Sequence, residues 1–322
     1  MNSRYTIGPL DFSRLVTYSV ESRKSKVDTS MFAKAMDGSE SVLGFISKLP
    51  HILAADGLRT LIRAILYARA TQKPIIWGLG GHVVKVGLGP VMNDLMRSGF
   101  VTGIVMNGAA AIHDFEVAYR GSTSEEVEEQ LDSGRFGMAR ETGEFMNAAI
   151  ADAHKTEIGM GEGLGAFIAR NEPPFQHRES SILAEAFSLG IPVTVHVAIG
   201  TDIIHVNPAA SGASLGESTY RDFRLLCTMV KDLNEGGVYL NVGSAVILPE
   251  VFLKAVSVVR NLGHELEEFT TANLDFTQHY RPSQNVLKRP TQRSGQSVAL
   301  TGHHEIMVPL LAAALKGSLS EK

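Results

Sequence analysis

The chain is poor in the residues that staple or anchor a protein. One cysteine, Cys227, occurs in 322 residues, so no intrachain disulfide can form, which fits a reducing compartment. Cys227 lies in an apolar helical stretch with Leu225, Leu226 and Met229, where nothing lowers a thiol pKa, and reads as core. A basic excess is also missing. Thirty Lys and Arg against 34 Asp and Glu leave a net charge of -4, which argues against a footprint for nucleic acid or an anionic membrane. No apolar run reaches the roughly 18–20 residues of a membrane-spanning helix. The opening MNSRYTIGPLDFSRLV has no basic run followed by an apolar stretch, so no signal peptide is read. A soluble, cytoplasmic protein is expected. Two motifs are absent as well: the strict GxGxxG fingerprint, and any HExxH or CxxC metal spacing.

What is present is enough for a large core: 44% of the residues are hydrophobic and 20% charged. Residues 1–50 read as an N-terminal arm with a helix over Ser30–Leu49, and residues 51–322 as a single α/β domain. Helical spacing marks Ile52–Arg69, Val83–Ser98, Glu125–Leu131, Arg140–His154, Glu179–Leu189, Leu215–Leu233, Leu248–Leu262 and Glu305–Leu315, with the tail GSLSEK frayed. Short apolar or β-branched runs mark strands at Pro74–Leu79, Phe100–Met106, Ile191–Val197, Gly237–Val242 and Glu268–Ala272. Gly159–Arg178 and Phe276–Thr301 read as long loops. Strands alternating with helices call for a doubly wound parallel sheet with helices on both faces.

Ligands of such sheets sit beyond the carboxyl ends of the strands. Those ends carry Gly80-Gly81-His82, then Asn107-Gly108-Ala109, then Gly200, Thr201 and Asp202, then Gly243-Ser244, then Asn273 and Asp275. Small residues let backbone N–H groups approach a pyrophosphate, and acids accept from ribose hydroxyls. The bland alternative is a set of ordinary tight turns. His113, Asp114 and Glu116 form the densest polar cluster near a strand end, read either as acid/base groups or as carboxylates capping a helix. His303, His304 and Glu305 form a second cluster. His196 and His205, with His303 and His304, would serve a metal-dependent hydrolase or lyase if the fold gathered them.

The order of these motifs resembles the deoxyhypusine synthase superfamily, and is similar to the NAD-binding domain of archaeal-type ornithine cyclodeaminase. The segment Gly80–Glu116 resembles the first glycine turn, helix and second strand with its acidic turn. GIPVTVHV with Ser214-Leu215-Gly216-Glu217 resembles the Ile-Pro strand and Ser-Leu-Gly-acid motif. Gly243-Ser244-Ala245, Thr270-Thr271-Ala272 and Pro309-Leu310-Leu311 follow in the family's order, so that the likeness spans about residues 70–315. It implies a three-layer Rossmann-like, NAD/FAD-binding fold, with NAD as cofactor. Gly80, Gly81, Gly108, Ala109, Asp114, Gly243, Ser244, Thr271 and Ala272 would line the dinucleotide, and Glu217 would meet a substrate amine. It also implies a homo-oligomer, dimer or tetramer, acting on a small amine or amino acid through hydride transfer and an imine. The family's lysine in a Ser-Trp-Gly-Lys stretch is absent, and Leu248-Pro249-Glu250 stand where its substrate histidine falls. Aminobutyl transfer onto lysine is therefore not expected, and a non-catalytic NAD-binding homologue is a further reading.

Overall fold

A computed structural model describes residues 4–320. After two short 3-10 turns, the chain forms α1 (Val42–Lys48), α2 (Leu53–Ala70), β1 (Ile75–Leu79), α3 (Gly81–Lys85), α4 (Gly89–Arg97), β2 (Gly103–Asn107), α5 (Gly108–Arg120) and α6 (Val127–Asp132). It continues as α7 (Arg140–Lys155), α8 (Met160–Arg170), α9 (Ile182–Leu189), β3 (Val193–His196), α10 (Gly212–Lys231), β4 (Val238–Val242) and α11 (Ile247–Asn261). It closes with β5 (Thr270–Asp275), a π-helical turn at Pro282–Lys288, β6 (Gln296–Thr301) and α12 (His304–Ser320).

The strands form one parallel sheet in the order β3-β2-β1-β4-β5-β6. β1 is buried at every residue, as a central strand covered on both faces must be. The chain steps outward from β1 to β3, crosses back to β4, and steps outward again to β6. The direction of winding therefore switches between β1 and β4. Leu79 pairs with Met106 and with Val242, so the carboxyl ends of β1, β2 and β4 stand level.

One face is covered by α2 to α5, α7 to α9 and α12. The other is covered by α10, α11 and the π-helical turn, with Tyr239 stacked on Phe252 at 3.7 Å. In α2, Leu58, Leu61, Ile62 and Ile65 recur at the helical interval and are buried. Asn107 starts α5 by accepting from the Ala110 N–H at 2.9 Å, and Gly121 ends it in the left-handed conformation, φ 77°.

Several expected elements differ. The helix over Ser30–Leu49 is a 3-10 turn at Thr29–Met31 and then α1, because the N–H groups of Asp37 and Gly38 turn onto the Glu40 carboxylate and that of Ser39 onto Asp37. Val83–Ser98 is two helices, broken at Gly87, whose φ of 80° no helix accommodates. Gly159–Arg178 holds α8, and Phe276–Thr301 holds β6. The end of the chain continues α12 to Ser320, and the last two residues lie outside the described ones.

Candidate functional site

The glycines of the strand ends meet one another. A Cβ on Gly80 would collide with the Gly243 carbonyl across the β1–β4 switch point, and one on Gly81 would stand 3.1 Å from Ala109 Cβ and from His113 Cδ2. A Cβ on Gly108 would collide with the Asp202 carboxylate, and one on Gly243 would stand 2.9 Å from His304 Cε1. The tips thus converge, and part of the room left by the missing side chains is filled by the chain itself.

On the β1–β2 side, α5 presents His113 and Glu116 one turn apart. Glu116 is held by two hydroxyls: Thr142 donates to Oε1 at 3.0 Å and Thr123 donates to Oε2. Having given its proton to Glu116, the Thr123 hydroxyl accepts from His113 Nδ1 at 2.7 Å. That fixes the neutral tautomer with Nε2 bare. Burial, helped by the charge of Lys85, pushes the His113 pKa down to about 4. The ring is therefore an unprotonated base near neutral pH. It lines a cavity of about 200 Å³ with Lys85, Ala109, Glu116, Glu125 and Asp202.

On the β4–β6 side, His304 is buried and donates from Nε2 to the Leu274 carbonyl at 3.2 Å, leaving Nδ1 bare and without a partner. Its ring lies 5.5 Å from His82 and 6.0 Å from Phe276. Burial lowers its pKa. His303 is exposed, stacks on Phe276, and has Glu305 at 3.9 Å. Asn241 donates to Asn273 at 2.7 Å, Asn273 to Gln278 at 2.8 Å, and Gln278 to the Leu300 carbonyl at 3.2 Å, a row of amides that ties β4, β5 and β6 together. Asp275 accepts from the Phe276 N–H. Ser244 is buried and accepts from Leu248 N–H at the start of α11.

Other expected residues stand elsewhere. Asp114 points away from the strand tips: its carboxylate accepts from Ser181 Oγ at 2.6 Å and from the N–H groups of Ile182 and Leu183 at 2.7 and 3.1 Å. It is wholly occupied in capping α9, which leaves it neither acid/base duty nor a cofactor contact. Thr271 and Ala272 lie inside β5, paired with Tyr239 and Leu240 and fully buried. At about 3.3 Å per residue they are about 10–13 Å below the tip, so they are core. Glu217, on α10, is ion-paired with Arg221 at 3.1 Å and does not line the cavity above α5. His196, bonded to Thr194, and His205 lie by β3, while the His304 ring lies at the tips of β4 and β5, against Gly243 and the Leu274 carbonyl, with His303 on Phe276; three to four strand spacings, about 14–19 Å, separate the two pairs. Among the described residues no group of three or more His, Cys, Asp or Glu could hold a metal ion.

Sequence reasoning missed Thr123 and Thr142 as holders of Glu116, and gave His82, Lys85, Phe276 and Gln278 no role. His82 follows the Gly-Gly turn directly and was within reach. The threonines carry no local signal, since they meet Glu116 only through the fold.

The strand order and the converging glycine tips define a doubly wound, Rossmann-like α/β protein. More narrowly, its fold is the deoxyhypusine-synthase-like one. A candidate deoxyhypusine synthase from Entamoeba histolytica superposes with a TM-score of 0.50 at 12% identity, over 88% of this chain and 95% of that one. AgrE, in ternary complex with ornithine and NAD+, gives 0.50 at 13% identity, over 85% and 35%. ArgZ, an arginine dihydrolase of the ornithine–ammonia cycle in cyanobacteria, gives 0.50 at 16%, over 83% and 33%. The chain spans about a third of the length of AgrE and ArgZ. Likeness at these identities establishes the fold alone. No family model and no curated protein matches the sequence.

Proposed function

We propose that the chain binds a nicotinamide dinucleotide across the β1–β4 switch point and oxidises a carbon bearing an amine, in an amine or amino-acid substrate. The observation that carries this reading is a set of buried polar atoms without partners on both sides of that point: Asp202 Oδ2 and His205 Nε2 beyond β3, Asn241 Oδ1 and His304 Nδ1 around β4 and β5. Leaving such atoms unpaired costs about 1–3 kcal/mol each, a cost that a polar ligand lifts. The donor set suits the dinucleotide. The amides of Gly81 and Ser244 suit phosphates, with Asn107, Gly108 and Ala109 beside them, and Asp202 and Asp275 suit hydroxyls; Gly80 and Gly243 give room rather than donors, because their N–H groups donate to the Val242 and Leu274 carbonyls, and Asn273 is tied to Asn241 and Gln278.

When bound, the nicotinamide supplies hydride acceptance. This chain's part is orientation and proton transfer. His113 Nε2 takes the substrate's proton, Thr123 and Glu116 hold the ring in that tautomer, and Glu116 and Glu125 favour a cationic substrate in the cavity. AgrE, of the same fold, is described with ornithine and NAD+, which supports the pairing of substrate class and cofactor. Calorimetric titration with NAD+ tests the reading: a saturable isotherm is expected, and no heat at millimolar NAD+ removes it. Mass spectrometry of small molecules released on denaturation checks the same point independently.

A further inference from the structure

Two buried atoms on the segment that leaves β3 face each other without touching. His205 Nε2 and Asp202 Oδ2 are 3.9 Å apart, on side chains 3% and 8% exposed, and neither atom has a partner. The other nitrogen of the His205 ring decides what Nε2 is. Nδ1 accepts from the N–H groups of Gly200 at 3.2 Å and Asp202 at 3.3 Å, so it carries a lone pair and the proton sits on Nε2. Burial keeps the ring neutral by lowering its pKa. Nε2 is thus an unused donor, and the carboxylate oxygen opposite is an unused acceptor. Both are held in place, because the two residues cap each other at the ends of the 3-10 turn Ile203–Val206.

A gap of 3.9 Å is too wide for a direct hydrogen bond, but one oxygen about 2.9 Å from each atom closes it. That oxygen must accept from Nε2 and donate to Oδ2. An alcohol does both, as does the single water that an alcohol would displace. An ammonium has no lone pair, and a phosphate, carboxylate or carbonyl oxygen has no proton to give. We propose that Asp202 and His205 form a hydroxyl-binding pair, which takes an alcohol group of the ligand at the wall of the cavity above α5. Asp202 lines that cavity, with His113 and Lys85 among its other walls, and its carboxylate lies against Gly108, the first residue of α5. The proposal rests on the reading of this cavity as a ligand site and specifies the chemistry of what enters it. The hydroxyl comes from the ribose of the dinucleotide or from the substrate; the recognition is the same.

The test follows the His205 Nε2 proton by NMR in the 15N-labelled full chain, with calorimetry alongside. Two probe sets are added: NAD+ with its 2′-deoxy and 3′-deoxy counterparts, and L-homoserine with L-2-aminobutyrate, which lacks the hydroxyl. The expected result is that one hydroxyl-bearing probe shifts the Nε2 proton and binds about tenfold more tightly than its deoxy partner, which leaves the pair unsatisfied. In His205→Leu the two members of that set bind alike. Should that variant not fold, the wild-type comparison decides by itself. Discrimination within the NAD+ set assigns the hydroxyl to ribose; discrimination within the amino-acid set assigns it to substrate. An unmoved Nε2 proton with no discrimination in either set overturns the proposal, and if NAD+ still binds, the dinucleotide reading survives without it. Discrimination in the amino-acid set with no NAD+ binding keeps the pair and removes the dinucleotide.

Discussion

At the scale of single residues, His113 and Asp114 are neighbours with opposite fates. His113→Gln keeps an amide in place of the ring but offers no base, so kcat is expected to fall about 10²- to 10⁴-fold, with little change in KM. A fall below threefold in stopped-flow turnover would remove His113 from the chemistry. The pKa of His113 drops from 6.5 to about 4 in the folded chain, so the unfolded chain binds the extra proton between those values. The contribution of His113 to stability is then complete above about pH 6.5 and is lost as pH falls toward 4. Urea unfolding from pH 7 to pH 4.5 is expected to show a smaller loss for His113→Gln than for wild type. Asp114 has its pKa raised to about 6 by burial, although three donors oppose the rise. Asp114→Ala strands those donors at the start of α9 and is expected to cost about 2–4 kcal/mol, with Asp114→Asn milder. A change in ligand affinity at unchanged melting temperature would contradict the capping role. The sequence showed the polar cluster but not this division, because the partner of Asp114, Ser181, lies 67 residues away.

At the scale of elements, the periodic helices and the buried central strands were legible, and the misses have physical reasons. β6 is an edge strand with alternating exposure, so its only apolar run is the three residues Val298-Ala299-Leu300, set between polar ones. α8 has Gly161, Gly163 and Gly165, a composition that argues against a helix. The structure explains them: a Cβ at Gly161 would collide with the Val193 carbonyl, one at Gly163 would lie 2.5 Å from Ala153 Cβ, and one at Gly165 would lie 2.7 Å from the Leu183 carbonyl. The helix is wedged against β3, α7 and α9, and close approach outweighs propensity. Gly161→Ala is therefore expected to destabilise by about 1–3 kcal/mol. Gly216→Ala, in α10 with nothing within 4 Å of its Cβ, is expected to stabilise by about 0.5–1 kcal/mol. Chemical denaturation of the two variants measures the contrast, and equal effects would show that helix propensity alone governs these sites.

At the scale of the whole molecule, the alternation of strands and helices announced a parallel sheet, but not the order of its strands. That order depends on which edge each crossover takes, and no local residue records it. It matters because it brings Gly80 against Gly243 and sends His196 and His304 to opposite sides. Among the described residues no helix is long and apolar enough to cross a membrane. The first part of the chain poses a different question. No residue from 4 to 41 is buried, yet Ile7, Leu10, Phe12, Leu15, Val16, Tyr18 and Val20 are 66 to 95% exposed. Burying one such side chain is worth about 1.5–3 kcal/mol, and apolar surface concentrated like this marks an interaction site. The later part of the arm is pinned to the body, by Lys34 N–H on the Lys48 carbonyl and His51 N–H on the Met31 carbonyl, both at 2.9 Å. The earlier part is therefore held at the surface, where a second copy of the chain would cover it. Light scattering is expected to give the full chain the mass of a dimer or tetramer, and a variant without residues 1–30 a lower mass. The melting temperature of the truncated form extrapolated to low concentration should hardly change, since the arm adds nothing to the core. A full chain that runs as a monomer at tens of micromolar would leave these side chains without a partner of their own kind.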